Sequence, residues 1–200
     1  LARGLPDLSE ADLSDTDLRG TDLRGVNLKK AILIRANLSG ANLSGANLSE
    51  SFLFRAILQK TEMRGTSLNG ADISEADLKG ADLSNAYLIG TILAKSNLNS
   101  AHLIEADCKG ADFSGVDLEA ANLSGANFAG ANLAGADLSN ADCTKADFER
   151  ANLGKTILKN AKLTDAHFYS TIFGSNDLSQ VIGLEKAIHH GPSILNIETI

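Results

Sequence analysis

The sequence predicts a solenoid, a chain wound into stacked coils around a filled interior. Three observations carry this. From Pro6 to Gln180 a five-residue unit recurs 35 times without a register slip. The centre of each unit is a large apolar or sulfur-bearing residue: 26 Leu, five Phe (Phe113, Phe128, Phe148, Phe168, Phe173), Cys108, Cys143, Ile73 and Met63. Two residues before the centre sits a small residue, Ala in 22 units, Thr in seven, and Ser or Val in four. A helix turns about 100° per residue, so every fifth side chain would drift by about 140° and spiral around the cylinder. A flat strand alternates with period two. A uniform step of five instead turns the chain by a fixed angle per unit.

The remaining positions follow from that winding. The inward centre needs similar residues above and below it, and the small residue two places earlier fills a narrower corner. The position just before the centre is Asp in 14 units and Asn in nine. Thirteen units end in Gly, as in Leu38-Ser39-Gly40, which together with Asn suits corners that demand positive φ. Pro6 and Asn176 break the small-residue rule, and they belong to the first and last units.

The unit Ala-(Asp/Asn)-Leu-x-x, as in Ala41-Asn42-Leu43-Ser44-Gly45, resembles the pentapeptide-repeat family over residues 6 to about 180. The resemblance implies an all-β solenoid, a right-handed quadrilateral β-helix with four units per coil, about nine coils here. At a strand spacing of ~4.8 Å the stack is roughly 40 Å tall. Positions twenty apart then share a face, so Cys108, Phe128, Phe148 and Phe168 form one inward column. Cys108 and Cys143 fall on different faces and read as buried free thiols.

The ends read differently. Residues 1–5 form a leader or cap remnant, and residues 181–200 leave the repeat as a C-terminal cap or linker. Leu184 to His190 is expected as a short helix, stopped by Gly191 and Pro192, folding over the last coil to cover its open edge. The chain opens on Leu1 with its one methionine at Met63, and stops just after the apolar run 194–197, so a piece of a longer protein is expected.

Composition excludes several function classes. Lys and Arg number 18 against 25 Asp and Glu, a net charge of −7. Direct nucleic-acid binding needs a basic footprint that this chain lacks. No apolar run is long enough to span a membrane. The sequence has no Cys/His cluster spaced for zinc, and no GxGxxG, GxxxxGK[ST], GxSxG or HExxH motif. No cofactor, metal or catalytic residue is expected. His102 and His167 read as exposed substitutions on different faces, and His189-His190 as a polar helix end in preference to a weak metal site or a group serving a catalyst in a further domain. Stacked acids such as Asp117 and Asp137, or Asp112 with Asn132 and Asn152, read as turn-forming Asx residues rather than cation ligands. Two cysteines with no disulfide pattern point to a reducing cytoplasm.

Departures from the unit mark the candidate site. The outward position before the centre is apolar or aromatic in seven units: Ile32, Phe52, Ile57, Tyr87, Ile92, Ile157 and Ile172. Ile32, Phe52, Ile92 and Ile172 share one face. Ile32 and Phe52, with Ile34 and Phe54, are expected to form a contiguous exposed patch flanked by Arg35 and Arg55. A patch rimmed by charge marks a partner surface. Against this stands the plain fit of β-branched and aromatic residues to strands, or a covering segment beyond the N-terminus.

Three functions follow. One is a non-catalytic scaffold presenting flat faces to a protein partner, with a homodimer through a coil end or the apolar face as a variant. A second comes from the family resemblance, which includes acidic DNA mimics that bind DNA gyrase and protect it from quinolones. Charge here is uneven, +1 over residues 1–60 and −6 over 61–120, and the unbroken register leaves no protruding loop. A third is a targeting arm of a larger signalling or enzymatic protein.

Overall fold

The fold is seen in a computed structural model that describes residues 6–195, the side chains of Ile194 and Leu195 aside. The expected leader at residues 1–5 therefore lies outside the described residues, as does the end of the C-terminal segment.

Parallel bridges join residues twenty apart, from Asp7 with Asn27 to Lys162 with Ile182, always through the position before a centre. Four units thus bring the chain back over its starting side. The unit from Leu38 to Asn42 shows how the backbone is satisfied. The Leu38 and Gly40 amides donate to Ile57 and Gln59 on the next coil, and the Asn42 amide donates to Thr21 on the previous one. The Ala41 amide closes the corner onto the Leu38 carbonyl at 2.8 Å, and the Ser39 amide donates to the Asn37 side chain. All five donors are used, which a buried backbone requires.

The corners set the last residue of each unit. Every such residue from Glu10 to Ser175 has a positive φ, between 50° and 69°, whether it is Gly or not. Positive φ at the third residue of a four-residue turn is the type II requirement that Gly meets without strain. Lys, Arg, Glu and Ala also occupy it here, held by the ladder on either side.

The interior is closed. Every central residue from Leu28 to Phe168 is at most 2% exposed, and the small residues two places earlier are buried beside them. Phe128, Phe148 and Phe168 stack as the column reading foresees, with 9° between planes and centroids 5.4 and 5.6 Å apart. Leu8, Leu13 and Leu18 in the first coil are only partly buried.

The C-terminal segment departs from expectation. Leu184–Lys186 is a single 3-10 turn rather than a helix running to His190. Strand β3 (Ile188–His189) then pairs in parallel with β1 (His167–Phe168), and β4 (Ile194–Leu195) with β2 (Ile172–Phe173). The reason is the open edge: the Ile188 amide donates to Ala166 and the His190 amide to Phe168, so the last coil gains backbone partners that a seven-residue helix could not supply. The offset grows from twenty residues to 21 at Ile188 and 22 at Ile194, so the segment adds a looser coil with extra residues at its corners. His189 continues the Phe column, its ring 5.5 Å from that of Phe168. Gly183 enters this coil at φ 76°, where a Cβ would collide with the Thr164 hydroxyl.

Candidate functional site

The outward positions before the centres carry the surface chemistry. All 23 Asp and Asn at this position accept a hydrogen bond through Oδ1 from the amide two residues on, at 2.8–3.4 Å. Asp117 and Asp137 are bound this way by Glu119 and Ser139. Asn132 also donates to Asp112, and Asn152 to Asn132, both at 3.1 Å. The Asx columns are therefore turn braces. Among the described residues no group of three or more His, Cys, Asp or Glu is gathered as a metal site.

Where the brace is missing, apolar side chains reach the surface. Ile32 pairs in register with Phe52 on the next coil. Phe52 is 48% exposed, whereas Ile32, Ile34 and Phe54 are half-buried. The patch is bounded by Asp12 on one side and Asp72 on the other, each bridged to its edge. Ile92, 43% exposed, lies one coil beyond Asp72, and so stands apart from the other four.

The charged rim differs from a free basic border. Arg35 donates through Nε and Nη2 to the two carboxylate oxygens of Asp15, at 2.7 and 2.5 Å. Arg55 donates to Glu75 at 2.8 Å while its guanidinium lies 4.8 Å from the Phe54 ring centroid. Both cations are thus matched to carboxylates, and Arg55 covers part of the apolar surface it borders. Exposed pairs of this kind contribute little to stability, because water screens them. Their effect is to leave an electrically balanced edge around Phe52.

The thiols and most histidines take no part. Cys108 and Cys143 are fully buried, and burial pushes both thiols up, well above the range where thiolate forms. His102 sits in its column between Asp82 and Asn122. His167, by contrast, meets His190, with Nε2 of His190 3.3 Å from Nδ1 of His167. That contact was hidden from the sequence because His190 lies outside the five-residue period, so its partner could not be found by counting.

Comparison with known proteins agrees with this architecture. The family model described as Pentapeptide repeats matches in segments spanning residues 7–180. No curated protein matches. HetL, a pentapeptide repeat protein involved in heterocyst differentiation regulation from the cyanobacterium Nostoc sp. strain PCC 7120, is 29% identical, with 98% of this chain and 94% of that one covered and a TM-score of 0.40. QnrB1, a plasmid-mediated fluoroquinolone resistance protein, is 17% identical over 96% of this chain and 92% of that one, with a TM-score of 0.52. A pentapeptide repeat protein from the Arabidopsis thaliana thylakoid lumen is 28% identical, covering 62% of this chain and 69% of that one, with a TM-score of 0.28.

Proposed function

This chain belongs to the pentapeptide-repeat family, and from that premise we propose that it is a non-catalytic scaffold that binds a protein partner through the face carrying Phe52. In this reading the solenoid is a right-handed quadrilateral helix of about nine coils, offering four flat faces. Its interior is filled by Leu, Phe and Ala, so recognition falls to outward side chains. The two buried thiols suit a reducing compartment, the cytoplasm.

The observation that carries the reading is the Ile32–Phe52 pair. It places an exposed aromatic over a β-branched neighbour on the adjacent coil, bounded by the braced Asp12 and Asp72, whereas Tyr87, Ile92 and Ile157 are bridged to polar residues on both sides or on one. Aromatic side chains ringed by balanced polar groups are the usual anchors of protein interfaces. The partner is expected to bring an apolar side chain, since Arg35 and Arg55 are already matched within this chain.

The test compares the wild type with Phe52→Asn/Phe54→Ser as bait in a lysate of the source organism. Both replacements follow the repeat: Asn at the first site can brace the following turn, as Asn132 does for the Ala134 amide. Folding should therefore survive, as circular dichroism would verify. A protein held by the wild type and lost by the variant supports the reading. A protein held equally by both moves recognition to another face. Gyrase subunits held equally would point instead to the DNA-mimic reading.

A further inference from the structure

We propose that His167 and His190 form a binding site for one divalent late transition-metal cation, such as Zn²⁺ or Co²⁺, which ties the C-terminal strand β3 to the coil beneath it.

The geometry is the starting point. Nε2 of His190 and Nδ1 of His167 face each other across 3.3 Å. Zinc binds imidazole nitrogen at about 2.0–2.1 Å in a tetrahedron, which sets two ligand nitrogens on one ion roughly 3.3–3.4 Å apart. The pair already stands at that spacing. The rings are tilted by 48°, so a cation off the line between the nitrogens can meet both lone pairs after a small ring rotation.

Placement favours a single ion. The register sets His167 on β1 and carries the chain through β3 directly into His190, so the two rings come from different coils. The site opens onto a surface hollow of about 420 Å³ lined by Asp147, Glu149, His167, Phe168, Tyr169 and His190. Asp147 is bridged to His167 one coil earlier, at the strand spacing of ~4.8 Å. Its Oδ1 braces the Glu149 amide. Two imidazoles carry the site, and water from the open hollow completes the shell. This donor set of nitrogen and oxygen selects late transition metals over Mg²⁺ or Ca²⁺.

In the metal-free state one ring donates its N–H to the other. Binding requires both facing nitrogens to be bare, so the donor ring shifts its proton to its far nitrogen.

The experiment is a titration of the full chain with Co²⁺, followed by calorimetry and by the visible absorption of the bound ion. One ion per chain is expected. His167→Ala and His190→Gln should each weaken binding at least tenfold, while His102→Ala leaves it unchanged. Zn²⁺ should raise the melting temperature of the wild type and not of the two variants. The inference is overturned if no ion binds, or if His167→Ala and His190→Gln bind as well as the wild type. It is equally overturned if His102→Ala removes the site, since His102 lies on a different face. None of these readouts depends on the partner surface around Phe52.

Discussion

The rings of Phe128 and Phe148 lie 5.4 Å apart with 9° between their planes, each occupying the same inward position on successive coils. Neither is more than 1% exposed. With Phe168 above and the edge of Phe113 against Phe128, they form an aromatic spine in the C-terminal half.

Removing the middle of that spine should be costly. Phe148→Ala leaves a cavity that neighbouring coils, pinned by the ladder, can fill only in part. A loss of about 3–5 kcal/mol is expected. Phe148→Leu restores the commonest central residue and should cost less than half as much. Denaturant unfolding of the two variants beside the wild type checks the order.

The corners offer a stabilising change. Ala120 holds φ 56°, a left-handed conformation that costs an L-residue roughly 1–2 kcal/mol. Ala120→Gly removes that strain, partly offset by the greater freedom Gly gives the unfolded chain. A net gain of about 0.5–1 kcal/mol is expected. Gly130→Ala, at φ 68° with nothing within 4 Å of a built Cβ, should lose a similar amount through backbone strain alone. Thermal melts of both variants test this pair.

Acid should loosen the N-terminal coil first. The Arg19 side chain and amide hold the Asp17 carboxyl down at about 2, and Arg24 does the same for Asp22, against an ordinary value of 3.8. A carboxyl depressed by folding contributes stability that is complete above the ordinary value and lost as pH falls through the depressed one. The melting temperature should therefore hold steady from pH 7 to about 5 and fall between about 4 and 2. The fall should shrink in Asp17→Asn/Asp22→Asn, and high salt should reduce the ion-pair part of it. Calorimetry across that pH range reads the difference.

The thiols should be silent. Cys108 and Cys143 are enclosed and protonated at neutral pH. Neither should react with a maleimide or a chromogenic disulfide until the chain unfolds, and both should react at once in denaturant. Rapid labelling of either in the native state would mean that the coils open locally.

The repeat was legible because its rules are local. A central Leu, a small residue two places back and an Asx between them each specify the same corner, and all 23 Asx residues make the bond their type suggests. The cap was less legible. Ile188 and His189 pair with the coil because an open edge demands partners, a tertiary need that overrides the helix expected from Leu184 to His190 and leaves only the turn Leu184–Lys186. The patch was legible in its residues and its face, since Ile32 and Phe52 do pair across coils. Its depth was not. Half-burial of Ile34 and Phe54, and the pairing of Arg35 with Asp15 and Arg55 with Glu75, depend on side-chain packing between coils that a count of positions does not contain.

The central claim is that one face, at Phe52, binds a protein. The direct measurement is the affinity of the captured partner for three purified chains: the wild type, Phe52→Asn/Phe54→Ser, and Ile157→Asn. Ile157 is 50% exposed and sits on another face, so it controls for loss of any surface apolar residue. The account predicts at least tenfold weaker binding for the Phe52 variant, about 1.4 kcal/mol, and no more than a twofold change for Ile157→Asn. Equal binding by all three chains would contradict it.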